Sequence, residues 1–401
     1  MGLLELHKRR FAGSASPPDP PIDFTNGLWF TITISGTSFT IPTTGSGYDY
    51  SVDWGDSNEE SGKTGNATHV YASAGTYQIK IVGDFPKFFF NNSAQAPELD
   101  SIDKWGALSY STNQNGAFWG CTNLTTLASD NITWFNNITN AVTMFFTTGI
   151  TAIPSGVTFE SVTNSANMFR LTPALTSLPS SVTFAANPTV NATFRQSAIT
   201  TLPSSCNGWL NSITNGALMF FESSLTSLAN GITFANLDRG SQMFKDAPIV
   251  TLPSTVTFAA LTNGSNLFFQ SNITTIPSGV TFSLVTNGIT MFYQSALSSL
   301  ANGVTFNNVE NGTNMFRDTS ITTLPSSVQF NSLNNGTTMF TNVDLDTARY
   351  SDLLVDLESL NPNNTVTFDG GNSQYNTTGE TARNILTGGT RNWTITDNGL
   401  E

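Results

Sequence analysis

Histidine and cysteine are nearly absent: His7, His69, Cys121 and Cys206 are all that 401 residues contain. Metal centres built from Cys and His clusters are therefore excluded. The two cysteines share no paired spacing, so they read as small buried thiols and not as a disulfide framework. Charge is also scarce, at 11% of residues, and lopsided: 15 Lys and Arg against 28 Asp and Glu leave a net −13. Binding to phosphate backbones needs a basic patch, so nucleic acid is excluded as a partner. No apolar run approaches the ~18 residues of a membrane-spanning helix, so no membrane insertion is expected. A carboxylate pair could still do metal-free acid chemistry, but no spacing singles one out. What fills the chain is Thr, Ser, Asn and 32 Gly, with 30 Phe and 7 Trp to build a long core. That composition fits a turn-rich, mainly β protein of the extracellular or virion kind, with no cofactor.

Residues 1–22 read as a separate arm. Leu3, Leu4 and Leu6 precede Lys8, Arg9 and Arg10, and Phe11 follows. A secretory signal has the reverse order, charges first and then roughly 7–15 apolar residues. Leu6 also stands where a myristoylation signal needs a small hydroxyl residue. Four prolines between Ser14 and Pro21 predict a stiff, extended linker. The arm is expected to attach the chain to an assembly through Leu3, Leu4, Leu6, Lys8, Arg9, Arg10 and Phe11.

Residues 23–85 alternate in the manner of strands, at Trp29–Ile34, Ser38–Ile41, Asp49–Trp54 and Thr76–Ile81. Asp53 and Asp56 flank a tight turn, where carboxylates accept backbone N–H groups. His69, beside Tyr71 and without a partner cluster, reads as a packing residue, although a ligand or base role stays open. The runs Val52-Asp53-Trp54-Gly55-Asp56, His69-Val70-Tyr71 and Gly75-Thr76-Tyr77 resemble the PKD domain. That family is an immunoglobulin-like β-sandwich with a WGDG turn and an H-x-Y…G-x-Y ending. Ser57 stands where the family usually has Gly. The resemblance implies a spacer or adhesion module without enzyme activity, in which Asp53, Trp54, Gly55, Asp56, His69, Tyr71, Gly75 and Tyr77 are structural. Calcium at the Asp turn stays open, and would need about six oxygens or more.

Residues 86–342 repeat. Phe145, Phe169, Phe194, Phe220, Phe244, Phe268, Phe292, Phe316 and Phe340 fall 24 to 26 residues apart, with a looser copy at Phe118. Each unit reads I/L-T-x-L/I-P-S-x-V-T-F and then V-T-N-G-x-x-M-F, as in Ile273–Phe282 and Val285–Phe292. So short a unit cannot bury an apolar face alone, and neighbours must stack. Asn precedes the repeat Phe by five at Asn140, Asn164, Asn215, Asn263, Asn287, Asn311 and Asn335, and Gly follows that position in six of nine units. An Asn that satisfies backbone groups and a Gly at positive φ suit a tight corner. Thr189 and Arg239 break the Asn column, and the unit around Cys206 and Trp209 is two residues longer, so local bulges are expected there. The units resemble BspA-like leucine-rich surface-protein repeats, known from bacterial adhesins, mycoplasma surface lipoproteins and phage structural proteins. That resemblance implies a leucine-rich-repeat-type β-solenoid that serves as a recognition scaffold.

Residues 343–401 read as a small α/β cap over the last open edge. Tyr350, Leu353, Leu354, Leu357 and Leu360 recur at helical spacing, which predicts a helix over 347–360 capped by Asp344 or Asp346 and ended by Pro362. Thr377-x-x-Glu380 predicts a capping box for a second helix stopping at Gly388-Gly389, with strands at 365–368 and 393–396. Asp369-Gly370-Gly371 lacks the Lys-Ser/Thr of a phosphate loop and reads as a turn. The run from Val366 to Gly399 resembles the terminal segment that often follows such repeats in bacterial and phage proteins.

Three functions fit this layout. The chain reads first as a non-enzymatic phage virion structural protein, a tail fibre or capsid decoration held by its arm to other virion proteins. The alternative is a bacterial cell-surface adhesin of the same repeat family, for which no lipobox or wall anchor is visible. The third is a polysaccharide depolymerase, for which no nucleophile, base or metal cluster stands out. The residue after each repeat Phe supplies a candidate ligand strip: Phe146, Arg170, Arg195, Phe221, Lys245, Phe269, Tyr293 and Arg317, then Thr341. On a strand-like run with Phe inward these would point outward, about 4.8 Å apart, and could meet a host-surface glycan or protein. Alternatively the rings cover a loop and the cations only solubilise the surface. Association into a homo-oligomer stays open.

Overall fold

Leu28–Ile34 (β1) alternates as its sequence does, with Leu28, Phe30, Ile32 and Ile34 buried between more open neighbours. The computed structural model describes residues 21–186 and 188–401; the attachment residues Leu3 to Phe11 lie outside them. After β1 come Ser38–Ile41 (β2), Asp49–Asp53 (β3), Glu59–Lys63 (β4), Ala67–Val70 (β5) and Gly75–Asp84 (β6). A six-stranded sheet runs β4-β3-β6-β1-β7-β8, where β7 is Leu99–Lys104 and β8 is Thr126–Leu127. β2 and β5 pair separately, with Phe39 opposite His69. The sheet continues across residue 85: β1 pairs antiparallel with both β6 and β7, and β7 pairs parallel with β8. The front unit and the first repeats therefore share one sheet, and a single apolar core runs from Leu28 to Trp393.

Beyond β8, strands are very short and parallel. Thr201–Leu202 (β9) pairs with Ser227–Leu228 (β10), and Thr275–Ile276 (β11) with Ser299–Leu300 (β12). Between them, single bridges link Asn263 to Asn287, Asn287 to Asn311 and Asn311 to Asn335. Each repeat Phe lies against the next, centroids 5.2–5.7 Å apart from Phe118 to Phe340 and planes within 9°. A second Phe series meets the first edge-on, as Phe282 does Phe292 and Phe306 does Phe316. All these rings are buried, so two ladders fill the middle of the molecule. The fold is mainly β, 19% strand against 11% helix.

Several local expectations change. All seven Asn of the column accept a hydrogen bond from the N–H two residues on, at 3.0–3.2 Å. The Gly after them is not left-handed, however. A Cβ on Gly288 would meet Met315 Sδ at 3.1 Å, and one on Gly312 would meet Met339, so close packing explains the glycine. The positive φ falls on non-glycine residues two before and two after each repeat Phe, such as Thr290 (52°) and Gln294 (54°). Arg239 bridges both Asn215 and Asn263, so the expected bulge is not needed there. Among the described residues Thr189 bridges Asn164 but not Asn215, so the ladder is interrupted beside the longer unit. The two extra residues near Cys206 are absorbed by a helical turn, Asn207–Leu210 (α1). Both cysteines are free and buried; burial raises the Cys121 thiol pKa and pushes that of Cys206 up to about 11.

At the end, Thr347–Leu360 (α2) is capped by Asp346, which accepts from Arg349 N. The side chain of Arg349 donates to Leu324 O and Val328 O, and Asn361 donates to Phe330 O and Leu333 O. Carbonyls the last unit leaves open are thus satisfied by the cap. Thr377–Thr387 (α3) is capped by Asn376, which accepts from Thr378 N and Gly379 N; the expected Thr377 capping box does not form, because Thr377 is already inside the helix. The parallel ladder outlasts the repeat sequence: Asn335–Gly336 (β13) pairs with Thr367–Asp369 (β14), and β14 with Thr394–Thr396 (β15).

Candidate functional site

The segment carrying the strip is a ladder of turns. In one unit Gly288, Thr290, Phe292 and Gln294 donate their N–H groups forward, to Asn311, Thr313, Met315 and Arg317, at 2.9–3.0 Å. The residues between, Met291, Tyr293 and Ser295, close tight turns on Gly288, Thr290 and Phe292. The strand-like run expected here is therefore not extended. Its two left-handed residues per unit coil it, and ring spacing exceeds the strand value of about 4.8 Å. Phe292 is still fully buried and Tyr293 half-buried, so the inward and outward assignment survives in this unit, but Phe221 of the strip is buried and does not face outward as expected.

The column after the repeat Phe is continuous. Trp119 stacks on Phe146 at 5.3 Å, and the Arg170 guanidinium lies 4.9 Å from the centre of the same ring. Arg195 lies 4.6 Å from Phe221, and Lys245 Nζ sits 5.1 Å from Phe221 and 4.7 Å from Phe269. Phe269 meets Tyr293 edge-on at 5.1 Å, and Arg317 closes the series 5.4 Å from Tyr293. Because successive members come from successive units, most ring faces are covered by a cation or ring of a neighbouring unit. All eight candidates come together. Trp119 was missed, although it follows Phe118 in the same register.

A second column, two residues after each repeat Phe, modulates the charge. Asp246 lies 3.7 Å from Lys245 and Asp318 3.6 Å from Arg317. Gln196 donates to Glu222 (2.6 Å), Gln270 to Gln294 and Asn342 to Asp318. Burial lowers the Arg170 pKa, and the Arg195 charge lowers it further, against a smaller opposing pull from Glu222. Burial raises the Asp246 carboxyl, with Lys245 working against it.

In the front unit, Asp53 accepts from Gly55 N (2.9 Å) and Asp56 from Asn58 N (3.2 Å), while Lys80 pairs with Asp53 at 2.9 Å. His69 Nε2 lies 2.9 Å from Asp56 Oδ2, and its ring stacks on Trp54 and meets Tyr71 edge-on. Tyr71 donates to Trp54 O, and Tyr77 stacks on Tyr71. Gly75 begins β6 beside the Tyr77 ring. Gly55 takes φ 80°, and a Cβ there would strike Gln78 O at 2.5 Å, so both backbone and space call for glycine; Ser57 takes φ 74° without being glycine. Asp53, Asp56, His69 and the Tyr71 hydroxyl are thus engaged in holding the turn. Among the described residues no cluster of three or more His, Cys, Asp or Glu could hold a metal, and no helix is long and apolar enough to cross a membrane. No protein-family model matches the chain, and no curated protein or solved structure matches it.

Proposed function

We propose that the chain is a non-enzymatic recognition protein of a phage virion, a fibre or decoration protein. In this reading a PKD-like sandwich is the spacer, and a leucine-rich-repeat-type β-solenoid displays the strip to a host-surface glycan. Parallel bridges between most neighbouring units and two Phe ladders support the solenoid, and the two-sheet front unit with its locked Asp–Trp–Gly–Asp turn supports the sandwich. The virion setting rests on the resemblance of the repeats.

The observation that carries the recognition reading is the column of cations and aromatic rings from Trp119 to Arg317, one from each successive unit, in an otherwise acidic chain. Desolvated aromatic and Arg residues supply most of the energy of known recognition surfaces. The test is binding to host cells and to a glycan panel by a variant with Arg170, Lys245, Phe269 and Tyr293 all replaced by Ser. Binding should fall while the thermal transition stays cooperative. A folded variant that binds as the parent does removes the strip from the account.

A further inference from the structure

Two neighbours in the column depart from its charge pattern. Lys245 and Arg317 are each followed by an aspartate within 3.7 and 3.6 Å. Arg170 and Arg195 are followed by Leu171 and Gln196, and neither forms an ion pair among the described residues. Glu222, two units on from Arg170, accepts from Gln196 Nε2. The Nε atoms of both arginines are buried without an acceptor, as is that of Arg317, while Gln196 Oε1 lacks a donor and Ser197 Oγ a partner, so what sets Arg170 and Arg195 apart is the missing aspartate. Arg170 has only a long contact to Asn167 Oδ1, at 3.5 Å. Two half-buried guanidinium groups from adjacent units thus stand side by side with little to neutralise them.

The rings beside them are already covered. Phe146 lies between Trp119 and Arg170, and Phe221 between Arg195 and Lys245. A sugar cannot lie flat on either face, so the donors at the guanidinium edges are what this part of the column offers. A depression of about 200 Å³ opens alongside, walled by Thr122, Thr147, Thr148, Leu171, Pro173 and Gln196. Two of these wall residues directly follow the arginines.

We infer that Arg170 and Arg195 form an anion subsite of the strip, which takes the carboxylate or sulfate of an acidic polysaccharide and seats the adjoining sugar in the depression. The inference rests on the glycan reading above and deepens it from glycans in general to acidic ones. A planar guanidinium fork matches a carboxylate or sulfate in two parallel hydrogen bonds, and a bound anion removes the repulsion between the two cations. Lys245 and Arg317, already paired with aspartates, add little to such a ligand.

The test uses the full chain with three probes of matched length: oligogalacturonate, a sulfated dextran fragment and neutral maltohexaose. Acidic probes should bind in a salt-sensitive way, and R170Q/R195Q should weaken that binding by roughly tenfold or more. K245Q/R317Q should change it by less than about threefold, given their screened charges. R170K/R195K keeps charge and stem but loses the fork, and should fall several-fold, so it carries the test if the Gln pair folds poorly. Equal binding of maltohexaose, or acidic binding that R170Q/R195Q leaves intact, overturns the subsite. In that case the strip stands if the fourfold Ser variant still loses binding. Binding of none of the probes overturns the subsite, and the host-cell assay then decides the strip separately.

Discussion

Lys245 Nζ lies 4.7 Å from the centre of the Phe269 ring, contributed by the next unit of the array. The same ammonium touches Phe221 of the unit before, so one cation ties three consecutive units together on the outside. Nothing comparable is visible in any single unit, because the contact exists only once units stack. Cation–π contacts at partly exposed sites contribute about 0.5–1 kcal/mol each. Lys245→Met, which keeps most of the stem, should therefore lower stability by about 1 kcal/mol in a denaturant titration. No change would mean the side chain is free in solution.

The inner ladder should matter more. Phe292 is stacked between Phe268 and Phe316 and met edge-on by Phe282 and Phe306. Phe340 has Phe316 on one side and, beyond it, Phe368 of the cap at 6.2 Å and 72°. Phe292→Ala should cost about 3–5 kcal/mol, as buried Phe losses do. Phe340→Ala should cost less, since the cap can settle into the space. The measurement is the shift in unfolding midpoint of each variant, and equal, small shifts would contradict the stacked core.

Backbone substitutions separate two roles that the sequence merges. Gly288 is glycine for space, so Gly288→Val should destabilise by roughly 1–3 kcal/mol through overpacking against Met315. Gln294 holds φ 54°, a region costing a non-glycine residue about 1 kcal/mol, so Gln294→Gly should be neutral or stabilising. The reverse pair of outcomes in thermal melts would place the left-handed residues elsewhere.

These two positions also show how far the sequence could be read. The 24-residue step, the inward Phe and the Asn turns were legible because each recurs unit after unit and each has one physical use. The Asn–Gly pair misled because Gly is ambiguous: positive φ and close packing leave the same letter. Left-handed Thr290 and Gln294 carry no compositional mark, since forward hydrogen bonds to Thr313 and Arg317 hold them there. The strip was found as a column, but the capture of most ring faces by neighbouring units was not. Side chains from different units meet only in the stacked fold.

Acid should loosen the front unit. Burial by itself would raise the Asp56 carboxyl, but hydrogen bonds from His69 and Asn58, with the His69 charge, outweigh it and hold the pKa below the usual range. The Lys63 contact chiefly does the same for Glu60. Carboxylates with a depressed folded pKa add stability that is present above the unfolded pKa and lost as pH falls through the folded one. Stability of the front unit, followed by the NMR resonance of the Trp54 indole N–H, should therefore be flat near neutrality and drop below the ordinary carboxylate range. Asp56→Asn should lower the neutral plateau and flatten part of that drop; an acid limb identical to the parent's would contradict the assignment.

The central claim, that the cation–aromatic column is the surface that meets the ligand, can be tested by hydroxyl-radical footprinting of the full chain with and without a binding polysaccharide. The account predicts protection concentrated at Trp119, Phe146, Phe269 and Tyr293, with Phe221, Phe292 and Phe316 unreactive in both states because they are buried. Protection confined to residues outside the column, with the column unchanged, would contradict it.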